Sequence, residues 1–344
     1  NARAGIKVAY APVGAYVPGI DVTLSKAKIR GVESHGMMCS VRELELGDEH
    51  DGIIELPEDA PTGTSFAEYS NASPVFDVAI TPNRPDCMGV MGIARDLAAA
   101  GAGTLKTGPV KTIPGSFPCP VTVKLDWPEA CPIFAGRVIR GVKNGPSPDW
   151  MQKRLNAIGI KPKNLLVDVT NYVSFDYARP LHVYDMAKIG PVLYARKGRG
   201  EADQHVALDE KTYTPSESHC VIADDERALG LGGIMGGQYS GCSSDTTDVF
   251  IESAWFDPLI TRATAKATGI DSDAKYRFER GVDPASVKAG IEQASELILK
   301  FCGGEASETM VFGEIPNPPA DIELPLSEVK RLTGLDLPRD EIVR

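Results

Sequence analysis

The chain has 344 residues and a formal net charge of −11, with 42% hydrophobic and 24% charged residues. A chain of this length is too long for one ordinary compact core, which predicts two or three domains. The composition is typical of a soluble globular protein. Apolar runs fall short of the roughly 20 residues that span a bilayer, and no signal peptide opens the chain, so we expect no membrane association.

The seven cysteines are dispersed and form no CxxC pair, and the five histidines do not cluster with them. This pattern argues against a structural zinc site and favours reduced thiols in a cytoplasm, so we expect no metal. The opening "NARAGIKVAYAPVG" lacks Met and is typical of the middle of a domain. We therefore expect the chain to be a fragment.

Residues 5–70 contain short β-like runs broken by Gly and Pro, which predicts a small barrel. Charge is segregated here. Residues 1–42 carry six Lys or Arg against two acids, whereas residues 43–59 carry eight acids and no Lys or Arg. The acidic block is read as a solvated loop, because its spacing matches no calcium-loop pattern.

A helix is predicted after Asp86 as its cap, with Val90, Ile93 and Leu97 on one face and Gly101 as its end. Residues 106–118 are rich in Pro and Gly and indicate a linker. Next, "SPDWMQKRLNAIG" predicts a helix capped by Ser147.

Beyond this helix, strands and helices interleave irregularly, which predicts an α+β region. Strand-like runs are "KNLLVDVTNYV", "PVLYARK", "CVIAD" and "DVFIESAWF". Helices are expected from Asp257–Pro258 to Gly269 and from Asp283–Pro284 to Gly303. A second proline-rich joint covers 312–325, and a helical element follows it.

Polar residues stand out in two apolar stretches. Thr170, Asn171 and His182 interrupt "VTNYVSFDYARPLHVYD", and Glu252 is alone on "VFIESAWF". Each has a purely structural alternative: a packed histidine, a carboxylate paired with a nearby cation, or an Asn bonded to backbone. No nucleophile with an adjacent base is visible, and nothing marks Ser174 as activated.

Three further patterns remain open. "GLGGIMGG" (230–237) is either a tight turn or a close backbone approach to a ligand, and it is neither a Rossmann fingerprint nor a phosphate loop. "DAKYRFERGVD" (273–283) is either an internal ion-pair network or a contact with a partner. Lys26, Lys28 and Arg30 either contact phosphates or form a solvated strand face.

Several motifs in order identify the chain as similar to the beta subunit of bacterial phenylalanyl-tRNA synthetase. They are "KIRGVESHGMMCSVRELEL", "GIIELPEDAPTGT", "ITPNRPDCMGVMGIARDLA", "GPSPDWMQKRLNAIGIKP", "VDVTNYV" with "PLHVYD", "LGGIMGG", "IESAWFDP" and "YRFERGVDP". The resemblance covers almost all 344 residues.

The resemblance implies a multidomain α+β architecture. Residues 1–72 would be an N-terminally truncated OB-fold tRNA-binding domain, and 73–112 half of a small α/β domain. Residues 113–318 would be a mixed α/β editing domain, and 319–344 the start of a helix-turn-helix-like domain. This chain departs from the family pattern at three places. Arg179 stands where Gln is usual, Gly232 stands where Ala is common, and the segment "SFDYAR" (174–179) replaces a more aliphatic one.

The resemblance also implies an editing reaction, the hydrolysis of tRNA(Phe) mischarged with tyrosine. Thr170, Asn171 and His182 would orient the ester and the attacking water, and Glu252 would accept the tyrosyl hydroxyl. Gly233, with Gly232, would form a wall of the pocket. An apolar pocket that selects the amino acid for aminoacylation rejects an added hydroxyl only weakly, by about 10²-fold. A second site with a polar acceptor for that hydroxyl is therefore needed to remove tyrosine.

Partners follow from the same resemblance. The family is a heterotetramer of two alpha and two beta subunits that acts on tRNA(Phe) in the cytoplasm. ATP and Mg²⁺ belong to the complete enzyme and its alpha subunit, and no cofactor is expected in this region. The competing hypotheses are a scaffold and tRNA-docking subunit with a degenerate pocket, and a free-standing tRNA-binding protein.

Overall fold

The structure is a computed structural model that describes residues 1–47, 49–70, 75–106, 108–316 and 321–343. In these residues the helices are α1 Phe66–Tyr69, α2 Val90–Ala99, α3 Asp149–Ala157, α4 Leu165–Tyr177, α5 Pro258–Thr268, α6 Asp273–Phe278, α7 Val287–Cys302, α8 Ser327–Thr333 and α9 Arg339–Val343. The strands are β1 Lys7–Val8, β2 Tyr10–Pro12, β3 Tyr16–Val17, β4 Val22–Thr23, β5 Ala27–Ile29, β6 Val32–Ser34, β7 Gly36–Met38, β8 Glu55–Leu56, β9 Thr122–Leu125, β10 Ile133–Arg140, β11 His182–Asp185, β12 Val192–Lys197, β13 His205–Val206, β14 Thr212–Tyr213, β15 Cys220–Ala223, β16 Ala228–Leu231, β17 Met235–Gly236, β18 Asp248–Trp255, β19 Glu305–Ala306 and β20 Met310–Gly313.

Two five-stranded sheets dominate the chain after the linker. Sheet one has the order β11-β18-β10, and both β19 and β20 pair with the outer side of β10. Sheet two has the order β17-β16-β15-β12-β9, in which the β12–β9 pair is parallel. Helices and sheets therefore mix in one region, which confirms the predicted α+β class.

The two faces of sheet one enclose different apolar cores. Val249 and Ile251 of β18 pack with residues of α3, α4 and α7, such as Val169 and Ile291. The alternate residues on that strand, such as Phe250, pack instead with β12, β15 and β16 of sheet two. Because strand side chains alternate between faces, β18 divides a helical layer from an inter-sheet layer.

The sequence prediction of a strand at 163–173 was wrong, because Leu165–Tyr177 form the helix α4. Asn164 caps this helix by accepting a hydrogen bond from the amide of Val167 at 3.2 Å. Leu166, Val169 and Val173 then share its buried face at helical spacing. The run is apolar enough to suit either structure, and the cap with this spacing decides for the helix.

Two predicted caps are also corrected. Ser147 does not cap α3, which begins after Pro148; its hydroxyl donates to Asp168 at 2.5 Å. Asp86 does not cap α2, because it accepts hydrogen bonds from Arg84 and Arg95.

The predicted helices after Asp257 and Asp283 are confirmed. Asp257 caps α5, which ends at Gly269. A short 3₁₀ turn after Asp283 leads into α7, which ends at Gly303, and its inward residues, such as Ile291, are buried as predicted.

The N-terminal strands pair two by two, as β1–β8, β2–β7, β3–β4 and β5–β6, and within the described residues no closed barrel forms. Ala11, Val17 and Cys39 are the buried residues of a small separate core. The predicted domain boundaries at 72/73 and 318/319 lie outside the described residues. The OB-fold assignment therefore stays a prediction.

Candidate functional site

Glu252 projects into the layer between the two sheets. It is the fifth residue of β18, where it lies opposite Gly136 of β10 on one side and His182 of β11 on the other. Its side chain is on the same face of the strand as Phe250, whose ring packs in the inter-sheet core. Glu252 as a whole is only 6% exposed, so apolar side chains replace most of the water around it.

The phenol of Tyr184 donates a hydrogen bond to Oε2 of Glu252 at 2.5 Å. Burial raises the pKa of Glu252 from 4.5 to about 7, and the Tyr184 bond opposes this rise. The pKa of Tyr184 is raised well above its usual value of 10 by burial, so the phenol keeps its proton. Among the described residues Oε1 of Glu252 accepts no hydrogen bond, which leaves it free for a second donor.

His182 adjoins this pair on the same face of sheet one. Its ring meets the ring of Tyr184 edge to face, with centroids 4.5 Å apart. Burial lowers the pKa of His182 to about 4, so the imidazole is neutral at pH 7. Its Nε2 is shielded and has no hydrogen-bond partner within the described part of the chain. A neutral imidazole with a free nitrogen can accept a proton or a hydrogen bond.

Gly236 of β17 lies against the His182 ring. A Cβ at this position would stand 2.3 Å from Cε1 of the imidazole, which is closer than atoms can approach. The end of the motif "GLGGIMGG" therefore makes a close backbone approach, but to a protein side chain.

Gly232 and Gly233 form the turn between β16 and β17. A Cβ on either would collide with the ring of Phe256, at 2.6 and 2.8 Å, and Gly233 has a φ of +72°. The turn interpretation of the motif thus fits the structure. Phe256 belongs to the inter-sheet core that surrounds Glu252, so these glycines border that core through Phe256.

Thr170 and Asn171 are on α4, which packs against the helical face of sheet one. Glu252 projects from the opposite face, so the sheet separates it from the helix except around the edge strand β11. The hydroxyl of Thr170 donates to the carbonyl of Val167, 2.7 Å away in its own helix. The structure thus brings together His182 and Glu252 and places Thr170 and Asn171 in another layer.

Candidate nucleophiles near Glu252 are not activated. Cys131 and Cys220 are buried, and burial followed by neighbouring negative charge raises the pKa of each thiol, that of Cys220 to about 12. Both therefore remain protonated at neutral pH. Ser174 donates to the carbonyl of Thr170 at 2.8 Å, and among the described residues no basic side chain is hydrogen-bonded to it.

Arg179, in the segment between α4 and β11, is a fully buried cation. It donates to the carbonyl of Ala254 at 2.6 Å, to the hydroxyl of Ser286 at 2.8 Å and to the carbonyl of Asp283. Burial lowers its pKa to about 9, so it is protonated at pH 7. It joins β18 to the start of α7 two residues beyond Glu252.

The cluster in "DAKYRFERGVD" is held by internal contacts. The carboxylate of Glu279 forms salt bridges with the guanidinium of Arg280 at 2.8 Å and with the ammonium of Lys275 at 3.4 Å. Arg277 is 4% exposed and stacks over Phe175, 4.2 Å from the ring centroid. This geometry matches the interpretation as an internal network.

The hairpin β5–β6 carries Lys26, Lys28 and Arg30 close to one acidic residue. Lys28 is opposite Glu33 in the strand register, and the ammonium of Lys26 is 3.8 Å from the Glu33 carboxylate. Both strands of the hairpin are largely exposed. Glu33 therefore offsets part of the positive charge of this hairpin.

Asp86, Cys87 and Asp96 are the one group in the described residues with ligand atoms close enough to share a metal ion. Arg84 already bonds to both carboxylates, at 2.9 and 2.6 Å, and Arg95 bonds to Asp86. The two acids are thus neutralised by protein cations.

Sequence reasoning missed Tyr184 and Gly236. Tyr184 is two residues after His182, so strand alternation alone would have placed both side chains on one face.

The chain matches two family models. Residues 3–65 match a putative tRNA binding domain, and residues 130–303, half of the chain, match the B3/4 domain. Curated phenylalanine–tRNA ligase beta subunits align with almost all of it. The protein of Mesorhizobium japonicum is 55% identical over 342 residues, covering 99% of this chain, and that of Rhodopseudomonas palustris is 52% identical over 348 residues, covering 100%. The chain belongs to the phenylalanine–tRNA ligase beta subunit family.

The chain spans 42% and 43% of the length of these two family members. A solved N-terminal fragment of the phenylalanyl-tRNA synthetase beta subunit from Pyrococcus horikoshii is 17% identical and covers 77% of this chain and 73% of its own, with a TM-score of 0.36. Within the described residues, every helix is too short or too polar to cross a membrane.

Proposed function

We propose that this chain binds tRNA and hydrolyses tRNA(Phe) mischarged with tyrosine, as part of a phenylalanine–tRNA ligase. The observation that carries the proposal is the Glu252 carboxyl, buried between the sheets and bonded through one oxygen to a phenol. A site that already accepts one phenol hydroxyl has the chemistry to accept another. Membership of the ligase family supplies the substrate class.

Selection would depend on the free Oε1 of Glu252. A tyrosyl side chain would donate its hydroxyl to this oxygen, whereas phenylalanine would leave Oε1 without a donor while Tyr184 still occupies Oε2. An unpaired buried polar group costs roughly 1–3 kcal/mol, and more when it is charged. The correct product, Phe-tRNA(Phe), would therefore enter the site less readily than the mischarged one.

Hydrolysis would use a positioned water rather than a side-chain nucleophile. The water oxygen attacks the ester carbonyl carbon, and the ribose oxygen leaves and takes up a proton. The products are tyrosine and tRNA. His182 is neutral and has a free nitrogen, so it can accept the water proton or contact the tRNA end. Thr170 and Asn171 would help to orient the ester and the water from α4, reaching the site past the edge strand β11.

The remaining assignments are part of the same proposal. Residues 1–72, of which 3–65 match the tRNA-binding family model, would be the OB-fold that docks tRNA, with Lys26, Lys28 and Arg30 near phosphates. Residues 113–318 would be the editing domain. Aminoacylation would need the alpha subunit in a cytoplasmic heterotetramer, with ATP and Mg²⁺. The competing hypothesis is a scaffold whose pocket is degenerate.

Glu252→Ala tests the proposal. Hydrogen bonds to charged groups contribute ~1.5–3 kcal/mol, so hydrolysis of Tyr-tRNA(Phe) should fall by about one to two powers of ten. Hydrolysis of Phe-tRNA(Phe) should be unchanged or slightly faster, and Glu252→Gln should be intermediate. Release of each amino acid and the melting temperature are measured together.

Glu226→Ala is the matched control, because Glu226 is an exposed acid paired with Arg227. It should leave both rates unchanged. An equal loss toward both substrates with a lowered melting temperature, or no hydrolysis by the unmodified chain, would favour the scaffold.

A further inference from the structure

One end of the helical layer carries exposed cations without acidic partners. Residues 141–164 hold five Lys or Arg and a single acid, Asp149, in a chain with a net charge of −11. Together with the end of α7 they present six exposed cations that have no carboxylate oxygen within 4.0 Å among the described residues: Lys143, Lys153, Arg154, Lys161, Lys163 and Lys300. Asp176, which lies farther from Arg154, is partly buried.

Three aromatic rings lie among these cations. Trp150 of α3 is 37% exposed and meets Tyr172 of α4 edge to face at 5.2 Å and Phe301 of α7 at 6.3 Å. Arg154 is 5.3 Å from the Trp150 ring and donates to the Tyr172 hydroxyl at 2.8 Å. Lys300 is 5.1 Å from the ring of Phe301.

These groups form one continuous surface. The amide of Lys143 donates to the carbonyl of Cys302 at 2.9 Å, which holds the segment before α3 against the end of α7. The amide of Lys163 donates to Asp168, which holds the loop after α3 against α4. We call the six cations and three rings together the α3 surface.

The helix dipole alone explains the position of two of these cations. Lys143 and Lys300 lie near the C-terminus of α7, where cations are favoured by the helix dipole. That effect does not account for Lys153, Arg154, Lys161 and Lys163, nor for a half-exposed tryptophan among them. Unpaired cations beside accessible aromatic rings are the two groups that single-stranded nucleic acid uses, for its phosphates and its bases.

We propose that the α3 surface binds a single-stranded segment of RNA, with bases stacked on Trp150 and Arg154 and phosphates on the surrounding lysines. The surface lies outside residues 3–65, which match the tRNA-binding family model. It is also on the helical side of sheet one, whereas Glu252 projects from the other side. It is thus a second RNA contact, separate from the proposed hydrolytic site.

The test is binding of the 344-residue chain to a single-stranded RNA of about ten nucleotides ending in CCA, a length within the usual site size of such surfaces. Affinity is measured over a range of salt concentrations. Lys153→Ala with Lys300→Ala removes two phosphate contacts, so the slope of log K against log salt should become shallower by about 1.4, from ~0.7 per contact. Trp150→Leu should weaken binding by about tenfold to a hundredfold, and Trp150→Phe by less.

Lys211→Ala with Lys266→Ala is the matched control, because it removes the same charge from two exposed lysines on other elements. Its salt slope should equal that of the unmodified chain. Photocrosslinking with RNA that carries 4-thiouridine should label Trp150 or Tyr172.

The proposal is overturned if the chain does not bind the RNA, if both double variants change the slope equally, or if crosslinks fall only within residues 3–65. It is likewise overturned if the surface binds only an acidic protein partner. Hydrolysis of Tyr-tRNA(Phe) is not part of this assay, so failure here and failure of the proposed editing function are separate results.

Discussion

At the scale of single residues, the pair Glu252–Tyr184 holds an ionisable carboxyl where an apolar side chain would otherwise pack. The bond from Tyr184 reduces the cost of burying the carboxylate but does not remove it, because the pKa of Glu252 still rises to about 7. The group therefore titrates closer to neutral pH than an ordinary glutamate does. Such a raised pKa in a buried position is typical of functional sites as well as of structural pairs.

The first residue-scale prediction concerns stability against pH. The pKa of Glu252 is 4.5 when unfolded and about 7 when folded, so the folded state binds more protons between these values and stability falls as pH rises through them. Over this range the contribution is about 3 kcal/mol. Glu252→Gln removes it, so the variant should gain stability relative to the unmodified chain between pH 5 and pH 8.

Urea unfolding of both proteins at the two pH values measures this difference, and common contributions such as that of His182 cancel. A stability difference that is the same at pH 5 and pH 8 would show that Glu252 is not buried as a coupled carboxyl.

The second residue-scale prediction concerns Tyr184→Phe. Without the phenol donor, the carboxylate of Glu252 loses a charge-assisted hydrogen bond worth ~1.5–3 kcal/mol, which corresponds to about one to two pKa units. The pKa of Glu252 should rise further, and the pH at which hydrolysis of Tyr-tRNA(Phe) reaches half its maximum should move upward by a similar amount. A pH profile of the deacylation rate checks this. A lower rate with an unshifted profile would indicate a packing role alone.

At the scale of elements, the helix α4 shows why sequence reasoning succeeded in one place and failed in another. The strand β18 was predicted correctly, since its apolar run is short and rich in β-branched and aromatic residues. The run in α4 has a similar apolar character, and the Asn164 cap with the helical spacing of Leu166, Val169 and Val173 distinguishes it. Thr170 and Asn171, which the family resemblance assigns to the same site as Glu252, are therefore carried by a helix and not by a strand.

The hairpin β16–β17 carries the element-scale prediction. Gly236→Ala would place a Cβ 2.3 Å from the His182 ring, so the ring must move. Displacement of a catalytic group by about 1 Å can cost 10²-fold in rate, and we expect a loss of about that size in Tyr-tRNA(Phe) hydrolysis. If the ring moves toward water, the pKa of His182 should also rise from about 4 toward 6.5.

Gly103→Ala is the control, because a Cβ there meets no atom within 4 Å. The rates and the imidazole NMR titration of both variants are compared. Normal activity of Gly236→Ala with a displaced His182 would remove His182 from the proposed mechanism.

At the scale of the whole molecule, the net charge of −11 conceals a division that composition could not reveal. Positive charge at the α3 surface comes from α3, its flanking loops and the end of α7, so only the fold brings Lys143 and Lys300 together. In the region from residue 113 onward, the first residues are hydrogen-bonded to the core of that region. The amide of Ile113 donates to Glu292 at 2.8 Å, and Glu292 pairs with buried Arg137 at 3.0 Å.

This anchoring leads to the last prediction, that residues 1–72 and the region from residue 113 onward unfold separately. The N-terminal strands pair among themselves and have their own small core around Val17, whereas Gly89 of the intervening segment packs against Ala178 of the larger region. Deleting residues 1–72 should therefore leave the main calorimetric transition unchanged. Val17→Ala in the undeleted 344-residue chain should lower only a second, smaller transition, by an amount that reflects roughly 0.5–3 kcal/mol of lost stability. A single cooperative transition, or a lowered main transition after the deletion, would show that the two parts share one folding unit.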